Sequence, residues 1–442
     1  MRNVKIGYLP RERDDSGWFA TLDDRARPRE LEGTLRCDWL VVGGGWTGLH
    51  AARRLATLRP DDRIALVDAG RIGNNAAGRC AGFALDVAPR PGRRYTAADV
   101  ERDRDEIRVN REGIDYIRAC IRGHGIRCDW SEQGKIHAAA TQGGQRKLVT
   151  LARALERLGE DHGWLDAPAM RDTTGTDFYA CGLYTPGTAL LQPAAYLCGL
   201  ARNLGANVTV FENSPIVEVD YGDDEHRCRT AHGEIVAPRV LLAGNAFLPQ
   251  FGFYERHSIP VYTYASLTRP LSDSEIRAAG GPAPFGVVPA DRFGTTVRRT
   301  ADNRLFVRNV FAYARRLRSP DRGRARAMRH HRHALARRYP ALAPVGFEHA
   351  WGGILGLSRN GGMVFGRVAN GVYATAFCNG IGVARGAAFG KALAEYATGD
   401  TSPTIESLRK RPEPSRTYPW PIMQAGVDMV TSWRLYRARK EI

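Results

Sequence analysis

The sequence predicts an α/β protein in which the pieces of one strand-and-helix domain alternate along the chain with β-rich segments. Three observations predict this arrangement. A glycine-rich turn joins an apolar run to a helical pattern near the N-terminus. Apolar runs that end in small residues recur near the middle and the end of the chain. The stretches between them are β-rich and aromatic, which is typical of a second layer packed over the first.

The N-terminal segment, residues 1–35, is rich in Pro, Arg and Asp and shows no periodicity. We predict an extended arm, held to the body by Tyr8, Trp18 and Phe19. The segment lacks the apolar core of a secretory signal, and no stretch of the chain approaches the ~18–20 apolar residues of a membrane span. The eight cysteines form neither a CxxC pair nor a Cys/His cluster. We therefore expect reduced thiols, no bound metal and a cytoplasmic location.

The glycine-rich turn has the spacing of a dinucleotide-binding fingerprint. The apolar run at 39–42 leads into Gly43-x-Gly45-x-x-Gly48, a helical pattern follows at 49–58, and the next apolar run, 64–67, ends at Asp68. In such Rossmann-like units the glycines allow a tight turn, close approach of a pyrophosphate and helix packing, and the acid binds a ribose. The helix N-terminus then faces the phosphates. We expect this unit to bind a dinucleotide through Gly43, Gly45, Trp46, Thr47, Gly48, Asp68 and Ala69.

The remaining elements follow from hydrophobic periodicity and turn residues. Helices are predicted at 97–122, 145–158, 192–205, 321–339 and 384–398. Strands are predicted at 126–130, 135–138, 207–211, 216–220, 228–230 and 240–246. Residues 259–311 are β-rich and aromatic, and residues 352–382 are glycine-rich with short strands. The tail from residue 401 is Pro-rich and basic, with a short amphipathic end at 423–439.

The net charge of +17 comes almost entirely from arginines dispersed along the chain, so we expect no nucleic-acid partner. The densest basic block, residues 315–338, alternates with Ala, Leu and His at helical spacing and predicts a solvated helix face. Phosphate binding by that face is the alternative. Its motif His330-His331-Arg332-His333 resembles a metal site, but adjacent histidines point apart on a helix and arginines repel a cation. We interpret it as a surface helix.

Five segments, in chain order, carry a family resemblance. They are the fingerprint with Asp68, the loop 71–82, the strand and turn 206–219, the strand 240–246, and the loop and helix 380–391. Together they resemble the FAD-dependent amine and amino-acid oxidoreductases of the D-amino-acid oxidase superfamily. Within that superfamily the likeness is greatest to the bacterial γ-glutamylputrescine oxidase-like branch, with glycine and sarcosine oxidases as cousins.

The resemblance implies FAD, held non-covalently because the family's covalent cysteine position falls near Trp351. It implies a Rossmann-like FAD-binding domain interleaved with a β-rich antiparallel substrate domain. The FAD-binding domain would comprise 36–96, 186–255 and 346–400, and the substrate domain 97–185 and 256–345, between the arm and the tail 401–442. The further FAD-binding residues that it implies are Ala77, Gly78, Arg79, Cys80, Ala81, Gly82, Pro215, Ile216, Val217, Ala243, Gly244, Asn379, Gly380, Ile381, Gly382 and Val383.

Two departures from the family pattern affect the flavin surroundings. The loop along the flavin has Ala77 for Ser, Cys80 for Asn and Ala81 for Gly, so its side-chain hydrogen bonds must differ. The closing loop has Ile381 where a His is common, which removes a polar group near the isoalloxazine. These changes motivate one alternative, a flavoprotein that has lost catalysis and serves as a binding or assembly subunit.

The chemistry that the resemblance implies is removal of a hydride from the carbon next to a neutral amine, delivered to flavin N5. The resulting imine hydrolyses. A neutral amine needs no side-chain base, and backbone amides of the closing loop would stabilise the reduced flavin. The substrate is expected to be a small amine or amino-acid-like molecule. The candidate catalytic residues are Trp351, Arg308, Tyr262 and Tyr264, with Arg298 and Asn309 as further substrate-site candidates.

The absence of lysine from most of the predicted substrate domain bears on the identity of the electron acceptor. In sarcosine-oxidase relatives a lysine facing the flavin activates oxygen, but this chain has no lysine between Lys147 and Lys391. Either another cation such as Arg308 substitutes, so that O2 is the acceptor and H2O2 the product, or the enzyme is a dehydrogenase that passes electrons to a quinone or carrier. We favour the oxidase. In the dehydrogenase reading, the basic amphipathic tail could touch an acidic membrane surface.

Overall fold

The computed structural model describes residues 2–11, 14–89, 95–281, 283–320 and 322–442. The helices are α1 (Gly17–Ala20), α2 (Trp46–Leu58), α3 (Ala97–His124), α4 (Gln142–Leu158), α5 (Ala167–Thr174), α6 (Pro193–Arg202), α7 (Asp273–Ala278), α8 (Gly323–Arg338), α9 (Gly382–Ala397), α10 (Pro403–Lys410) and α11 (Trp420–Ala438). The strands are β1 (Arg2–Lys5), β2 (Gly33–Arg36), β3 (Trp39–Val42), β4 (Ile64–Val67), β5 (Phe83–Ala84), β6 (Lys135–Ala139), β7 (Gly163–Leu165), β8 (Cys181–Thr185), β9 (Ala189–Leu190), β10 (Val208–Phe211), β11 (Glu218–Tyr221), β12 (His226–Arg229), β13 (Gly233–Ala237), β14 (Arg239–Leu242), β15 (Ile259–Leu267), β16 (Phe285–Pro289), β17 (Thr296–Arg299), β18 (Leu305–Tyr313), β19 (His349–Leu357), β20 (Val364–Ala369) and β21 (Val372–Ala376).

The first layer is a six-stranded sheet in the order β10-β4-β3-β14-β21-β20. Its first five strands are parallel, and β20 is antiparallel to β21 at the edge. Strands β3 and β4 are apolar and buried throughout, as expected of parallel strands covered on both faces. Parallel strands end at one edge of the sheet, which is where ligands bind in such folds.

Helices α2 and α9 pack closely over this sheet because two glycines remove side chains between them. A Cβ on Gly390 would overlap the carbonyl oxygen of Thr47, and a Cβ on Gly386 would press on the Cβ of Trp46. The first turn of α2 is therefore held directly against α9, so the two helix N-termini that the fold needs at the strand ends are fixed relative to each other.

The second layer is an eight-stranded sheet in the order β19-β15-β18-β17-β16-β6-β8-β7. Every neighbouring pair is antiparallel except β16 with β6. A five-stranded sheet, β1-β11-β12-β13-β2, lies at the side of the nucleotide-binding layer. The molecule thus has the predicted α/β architecture, in which a Rossmann-like layer is interleaved with a β-rich, mainly antiparallel layer.

The predicted domain division stays a prediction, but the sheets show how the chain alternates. The six-stranded sheet takes its strands from residues 39–67, 208–242 and 364–376. The eight-stranded sheet takes its strands from 135–185 and 259–313, and from His349–Leu357. This last strand lies within a segment that we assigned to the FAD-binding domain, yet it pairs with β15 of the other layer.

The N-terminal arm differs from the extended segment that we predicted. Strands β1 and β2 form the two edges of the five-stranded sheet, and α1 buries Trp18 and Phe19. The Trp18 ring stacks on Phe306 with centroids 5.4 Å apart. The Tyr8 side chain is 42% exposed, and the residue is held through its backbone N–H, which donates to Gln250 Oε1 at 3.0 Å. Strands β1 and β2 are mostly polar and exposed, so they lack the apolar runs from which the equally short β3 and β4 are predicted.

Two further predictions were wrong in detail. Residues 126–130 form no strand, because Asp129 has φ 51° and interrupts the extended run; only Ser131 makes a bridge, to Leu190. The motif around His331 lies on α8 as predicted, but this histidine is fully buried rather than at the surface. Its Nδ1 lies 2.7 Å from Ser266 Oγ, and burial lowers its pKa to about 3.

All eight cysteines are free thiols. Within the described ranges, no group of three or more His, Cys, Asp or Glu side chains is arranged to hold a metal ion. Among the helices of the described residues, none is both long and apolar enough to span a bilayer.

Candidate functional site

The candidate site begins at the carboxyl ends of β3 and β4, where the fingerprint glycines form the turn into α2. Gly43 has φ 106°, which favours glycine, and a Cβ on Gly48 would overlap the carbonyl oxygen of Gly43. Gly45 is the N-cap residue of α2 and makes no side-chain cap bond, so the free N–H groups of the first turn remain available. This is the geometry that binds a pyrophosphate.

Asp68 follows β4 and turns its carboxylate back over the glycine turn. Its Oδ2 accepts hydrogen bonds from Gly44 N at 2.7 Å and Asn75 Nδ2 at 3.1 Å, and its Oδ1 accepts one from Gly70 N at 2.8 Å. Burial raises the pKa of Asp68 above its ordinary value, while the two backbone N–H groups and the Asn75 amide oppose that rise. A buried carboxylate at this place suits recognition of ribose hydroxyls.

The loop predicted to run along the flavin is a short 3₁₀ helix, Ala76–Arg79, capped by Asn75. Trp46 Nε1 donates to Ala77 O at 3.1 Å, which ties this loop to the first turn of α2. Arg79 is buried, and its guanidinium donates to the carbonyls of Asn74 at 2.8 Å and Gly352 at 3.1 Å. Arg79 therefore connects the loop to β19 in addition to any contact with a cofactor.

Arg298 holds the end of the same loop. Its Nη1 donates to the carbonyls of Ala81 at 3.1 Å, Gly82 at 3.2 Å and Leu191 at 2.7 Å, and its guanidinium lies 5.4 Å from the Trp18 ring centroid. Burial lowers the pKa of Arg298 to about 10. The sequence makes Arg298 a substrate-site candidate. In the structure its side chain instead donates hydrogen bonds to the end of this loop. The loop lies more than two hundred residues away in the chain, so no local sequence signal indicates this contact.

The opposite wall comes from β14, β21 and the closing loop. Ala243 and Gly244 follow β14, and Gly380 has φ 87° in the turn before α9. Asn379 anchors this turn: its Nδ2 donates to Phe377 O at 2.8 Å and to the carbonyls of residues 361 and 362, while its Oδ1 accepts from Ser358 N at 2.9 Å. The turn leads directly into the N-terminus of α9, which carries the positive end of the helix dipole.

These elements enclose a cavity of about 690 Å³. The predicted cofactor residues that line it are Gly43, Gly45, Trp46, Thr47, Asp68, Ala69, Ala77, Cys80, Ile216, Ala243, Gly244, Gly380 and Gly382. The predicted cofactor residues that do not line it are Gly48, Gly78, Arg79, Ala81, Gly82, Pro215, Val217, Asn379, Ile381 and Val383. Ile381 and Val383 are buried, so the replacement of a family histidine by Ile381 adds an apolar side chain to the interior.

Sequence reasoning missed three parts of the cavity wall. The first is the arm at residues 6 and 8–11, and the second is the 3₁₀ segment Asn245–Phe251, represented by Phe247 and Gln250. The third is Thr375, a single polar residue in the apolar strand β21. Its Oγ1 is buried and has no hydrogen-bond partner among the described residues. Such an atom suits a polar ligand group, and a lone threonine in an apolar strand is the only sequence signal it left.

The cavity reaches the eight-stranded sheet at Ile354 and Leu355 of β19. On the adjoining strands, Trp351 pairs with Ala265, Ala265 with Arg308, and Arg308 with Thr296. Directly paired residues project from the same face, so this row forms one surface, which we call the Trp351 face. Trp351 Nε1 donates to Arg79 O at 3.1 Å, which places the Trp351 face against the loop that lines the cavity.

Tyr262 and Tyr264 lie on the opposite face of the sheet. They pair with Ile354 and Gly352, and both are buried in a cluster that includes Leu317 and Ala327 beside α8. The same cluster includes Ile354, and Ala76 and Phe247 pack against it; these three residues line the cavity, so the tyrosine face also adjoins it. Asn309 projects on that side as well and donates to Thr295 Oγ1 at 3.1 Å. The structure therefore does not bring the two tyrosines or Asn309 together with the other candidate catalytic residues.

Arg308 is the cation that the Trp351 face offers. Its guanidinium lies 4.7 Å from the ring centroid of Phe311, and burial lowers its pKa to about 10. Across the described ranges, no carboxylate forms an ion pair with it. A half-buried guanidinium without an anionic partner is suited to bind a carboxylate from outside the protein.

Comparison with known proteins decides the family. A model of the family described as "FAD dependent oxidoreductase" matches residues 38–396. The chain belongs to this family. This membership confirms the resemblance to the D-amino-acid oxidase superfamily and makes the protein an FAD-dependent oxidoreductase.

Individual proteins that are similar to this FAD-dependent oxidoreductase are also oxidoreductases by name. Gamma-glutamylputrescine oxidoreductase of Escherichia coli strain K12 is 28% identical over 401 residues, 87% of this chain and 89% of the relative. The probable oxidoreductase OrdL of Haemophilus influenzae is 26% identical over 376 residues, 82% of this chain and 83% of the relative. The crystal structure of glycine oxidase from Geobacillus kaustophilus superposes with a TM-score of 0.69 at 18% identity, covering 84% of this chain and 96% of that one.

The residues present fit the FAD that the family uses. The glycine turn and the α2 N-terminus would hold the pyrophosphate, Asp68 the adenosine ribose, and the turn at 380–382 the flavin end. Two observations support this fit. The Thr375 hydroxyl has no partner among the described residues and faces the cavity. Several wall residues, such as Ala243, Gly244 and Gly380, are alanines or glycines, and they leave space that larger side chains would fill. The cavity size is in the range of ligand pockets, ~300–1,000 Å³.

Proposed function

We propose that this FAD-dependent oxidoreductase oxidises a C–N bond in a small amine or amino-acid-like substrate. The observation that carries the proposal is the contact between the Trp351 face and the loop 76–82: Trp351 Nε1 donates to Arg79 O at 3.1 Å, and Ala76, Ala77 and Cys80 of this loop line the cofactor cavity. Bound FAD supplies the redox chemistry, acceptance at flavin N5 of a hydride from the carbon next to the amine. The imine product then hydrolyses. The substrates named for the Escherichia coli relative and for the glycine oxidase structure support this substrate class.

The protein's own groups contribute position and charge. Trp351, buried against Trp18 and Phe306, holds the loop 76–82 in position, and Arg308 offers a guanidinium for an acidic group of the substrate. The backbone N–H groups around Gly380 and Gly382, with the positive end of α9, are placed to stabilise negative charge at the flavin end of the cavity. The four residues of the Trp351 face include no carboxylate or histidine that could accept a proton from the amine. We therefore propose that the amine arrives unprotonated.

Anaerobic titration of the purified protein tests this proposal. A panel of amines, amino acids, N-alkyl amino acids and γ-glutamyl amines is added while the visible flavin band is recorded. Bleaching by one class is expected and would give the substrate type. A flavin band that no amine bleaches would contradict the proposed activity and favour a non-catalytic flavoprotein subunit, the reading that Ile381 and the altered loop motivate. Release of the flavin on denaturation is expected, since we propose non-covalent binding.

For the electron acceptor we propose O2, with H2O2 as the product. The eight-stranded sheet has one lysine, Lys135 in β6, whose Nζ donates to Val87 O and Thr188 Oγ1 and lies 4.0 Å from Asp86. It does not belong to the Trp351 face. We therefore propose that arginine, Arg308 or the loop-bound Arg298, supplies the positive charge that a lysine supplies in sarcosine-oxidase relatives.

The absence of a lysine from the Trp351 face equally supports a second candidate, a dehydrogenase that passes electrons to a quinone or carrier. Admitting air to the substrate-bleached protein separates the two. Return of the flavin band within one turnover time, with H2O2 formed in equal amount, is expected of the oxidase. A band that stays bleached in air but returns on adding a soluble quinone would establish the dehydrogenase instead.

A further inference from the structure

The exposed apolar surface of the described chain is concentrated in one segment. Ten large hydrophobic side chains are exposed, and seven of them lie between Tyr418 and Tyr436. Scattered exposed hydrophobic residues are ordinary, but a contiguous group of this kind marks a contact surface. All but Tyr418 are carried by helix α11.

The apolar residues of α11 lie on two sides of the helix. Met423, Leu435 and Ala438 are buried against the body of the protein. Ile422, Met429, Trp433 and Tyr436 are spaced by seven, four and three residues, which puts them on one stripe of the helix. Their exposed fractions are 60%, 70%, 54% and 63%, so nothing in the described chain covers them. We call these four residues the outer stripe.

Positive charge borders the outer stripe. The Arg437 guanidinium lies 5.0 Å from the Trp433 ring centroid, and that of Arg439 lies 4.4 Å from the Tyr436 ring centroid. From residue 418 to residue 440 the sequence has four basic residues and a single acid, Asp428. The whole chain carries a net charge of +17. A second copy of this chain would bring like charges together, whereas an anionic surface would complement them.

The helix is presented in a fixed orientation. At its C-terminal end, Arg337 donates to Ile442 O at 2.7 Å, Arg338 donates to Glu441 O at 2.9 Å, and Glu441 Oε2 accepts from Ala140 N at 2.9 Å. At its N-terminal end, the Arg315 guanidinium lies 3.6 Å from the Trp420 ring centroid. The outer stripe is therefore displayed on a docked helix and does not depend on the helix folding when it meets a partner.

We propose that the outer stripe docks the protein on the surface of an anionic phospholipid bilayer. A helix with Trp, Tyr, Ile and Met on its free face and arginines beside them lies in the plane of the interface. Aromatic rings with a polar edge favour the headgroup region, and arginines are drawn to anionic headgroups. The helix rests on the membrane without crossing it. This proposal does not depend on the substrate or on the electron acceptor.

Co-sedimentation of the FAD-loaded protein with vesicles tests the docking. Binding to vesicles of phosphatidylglycerol mixed with phosphatidylcholine is expected, together with much weaker binding to phosphatidylcholine alone and a decrease as salt is added. The double variant Met429→Ser/Trp433→Ser is expected to bind about tenfold more weakly. Trp164→Ser is the matched control, because Trp164 is 44% exposed on β7, outside the outer stripe, and it should bind like the wild type.

Two results would overturn the proposal. One is the absence of binding to anionic vesicles, or binding that the double variant retains in full while its flavin spectrum shows it folded. The other is a dimer, seen by sedimentation velocity without vesicles, that the double variant converts to a monomer, because the outer stripe would then be a subunit interface. Arg437→Gln/Arg439→Gln gives a second measurement that keeps all apolar residues: it should lower binding to anionic vesicles and leave that to phosphatidylcholine unchanged.

Discussion

At the scale of single residues, Asp68 combines two opposing effects. Its carboxylate is buried, which raises its pKa, and it is bonded by two backbone N–H groups and one amide, which stabilise the charged form. The sequence identified this residue because the acid ends the second strand of a recognisable unit. Its donors were not predictable, because Gly70 and Asn75 belong to a loop with no periodic pattern.

We predict that Asp68→Ala weakens FAD binding by about 2 kcal/mol, roughly thirtyfold in Kd, because hydrogen bonds to a charged group are lost. Fluorescence titration of the apoprotein with FAD measures the Kd of each variant. Asp61→Ala, an exposed aspartate on the turn before β4, is the control and should bind FAD like the wild type. Equal affinities for the wild type and Asp68→Ala would remove Asp68 from the cofactor site.

Arg308 leads to a prediction about substrate recognition. We expect Arg308→Met to raise KM for a carboxylate-bearing substrate about tenfold or more, with a much smaller effect on an amine that lacks a carboxylate. Arg308→Lys keeps the charge but not the fork of donors, so it should recover only part of the loss. Steady-state kinetics on the two substrates measure this difference. If both substrates lose equally, Arg308 does not bind the carboxylate.

At the scale of elements, prediction succeeded where a pattern was long and local. The helix predicted at 97–122 is Ala97–His124, with a capping box at Thr96 that fixes its start. Prediction failed where strands are both short and polar, or where one residue changes the backbone. Strands β1 and β2 have four residues each, and the run at 126–130 is interrupted at Asp129 by a positive φ.

The contact between α2 and α9 gives a prediction at this scale. In Gly390→Ala the new methyl group would overlap Thr47 O, so we expect a loss of about 1–3 kcal/mol in the free energy of unfolding and a lower FAD content. Gly426→Ala in α11 is the matched control, since open space surrounds that glycine. It should be neutral or slightly stabilising, because alanine favours a helix. Urea unfolding of both variants and of the wild type measures the change in the free energy of unfolding.

At the scale of the whole molecule, the sequence predicted which pieces alternate but not which side chains meet. The spacing of two residues predicts that Tyr262 and Tyr264 share one face of β15, and the structure shows this, but the spacing does not relate that face to Trp351 on the neighbouring strand β19. The pairing of β15 with β19 sets the faces, and a β-bulge beside Val310 shifts the register between β15 and β18. Contacts such as Arg298 with Ala81 cross more than two hundred residues, so only the folded molecule reveals them.

The pH dependence of stability is also a property of the whole molecule. Burial lowers the pKa of His50 to about 4 and that of His331 to about 3, from an ordinary value near 6.5. The unfolded chain therefore binds more protons, and stability is lost as pH falls from about 6.5 towards those values. We expect each histidine to contribute a loss of about 2 kcal/mol between pH 6.5 and 5. His331→Gln should flatten this dependence in urea unfolding, whereas His333→Gln, exposed on the same helix, should not. An identical pH profile for the wild type and His331→Gln would contradict the prediction.

The walls of the cofactor cavity come from residues 6–11, 42–80, 213–251 and 354–389. A ribosome makes these pieces in that order, so the nascent chain displays the glycine turn and Asp68 long before β21 and the closing loop exist. Strand β21 pairs with β14 inside the six-stranded sheet, and the Thr375 hydroxyl and the α9 N-terminus arrive only with it. Flavin capture is therefore expected to be a late event in biogenesis, after most of the polypeptide has left the exit tunnel. A chain truncated before this strand should emerge colourless.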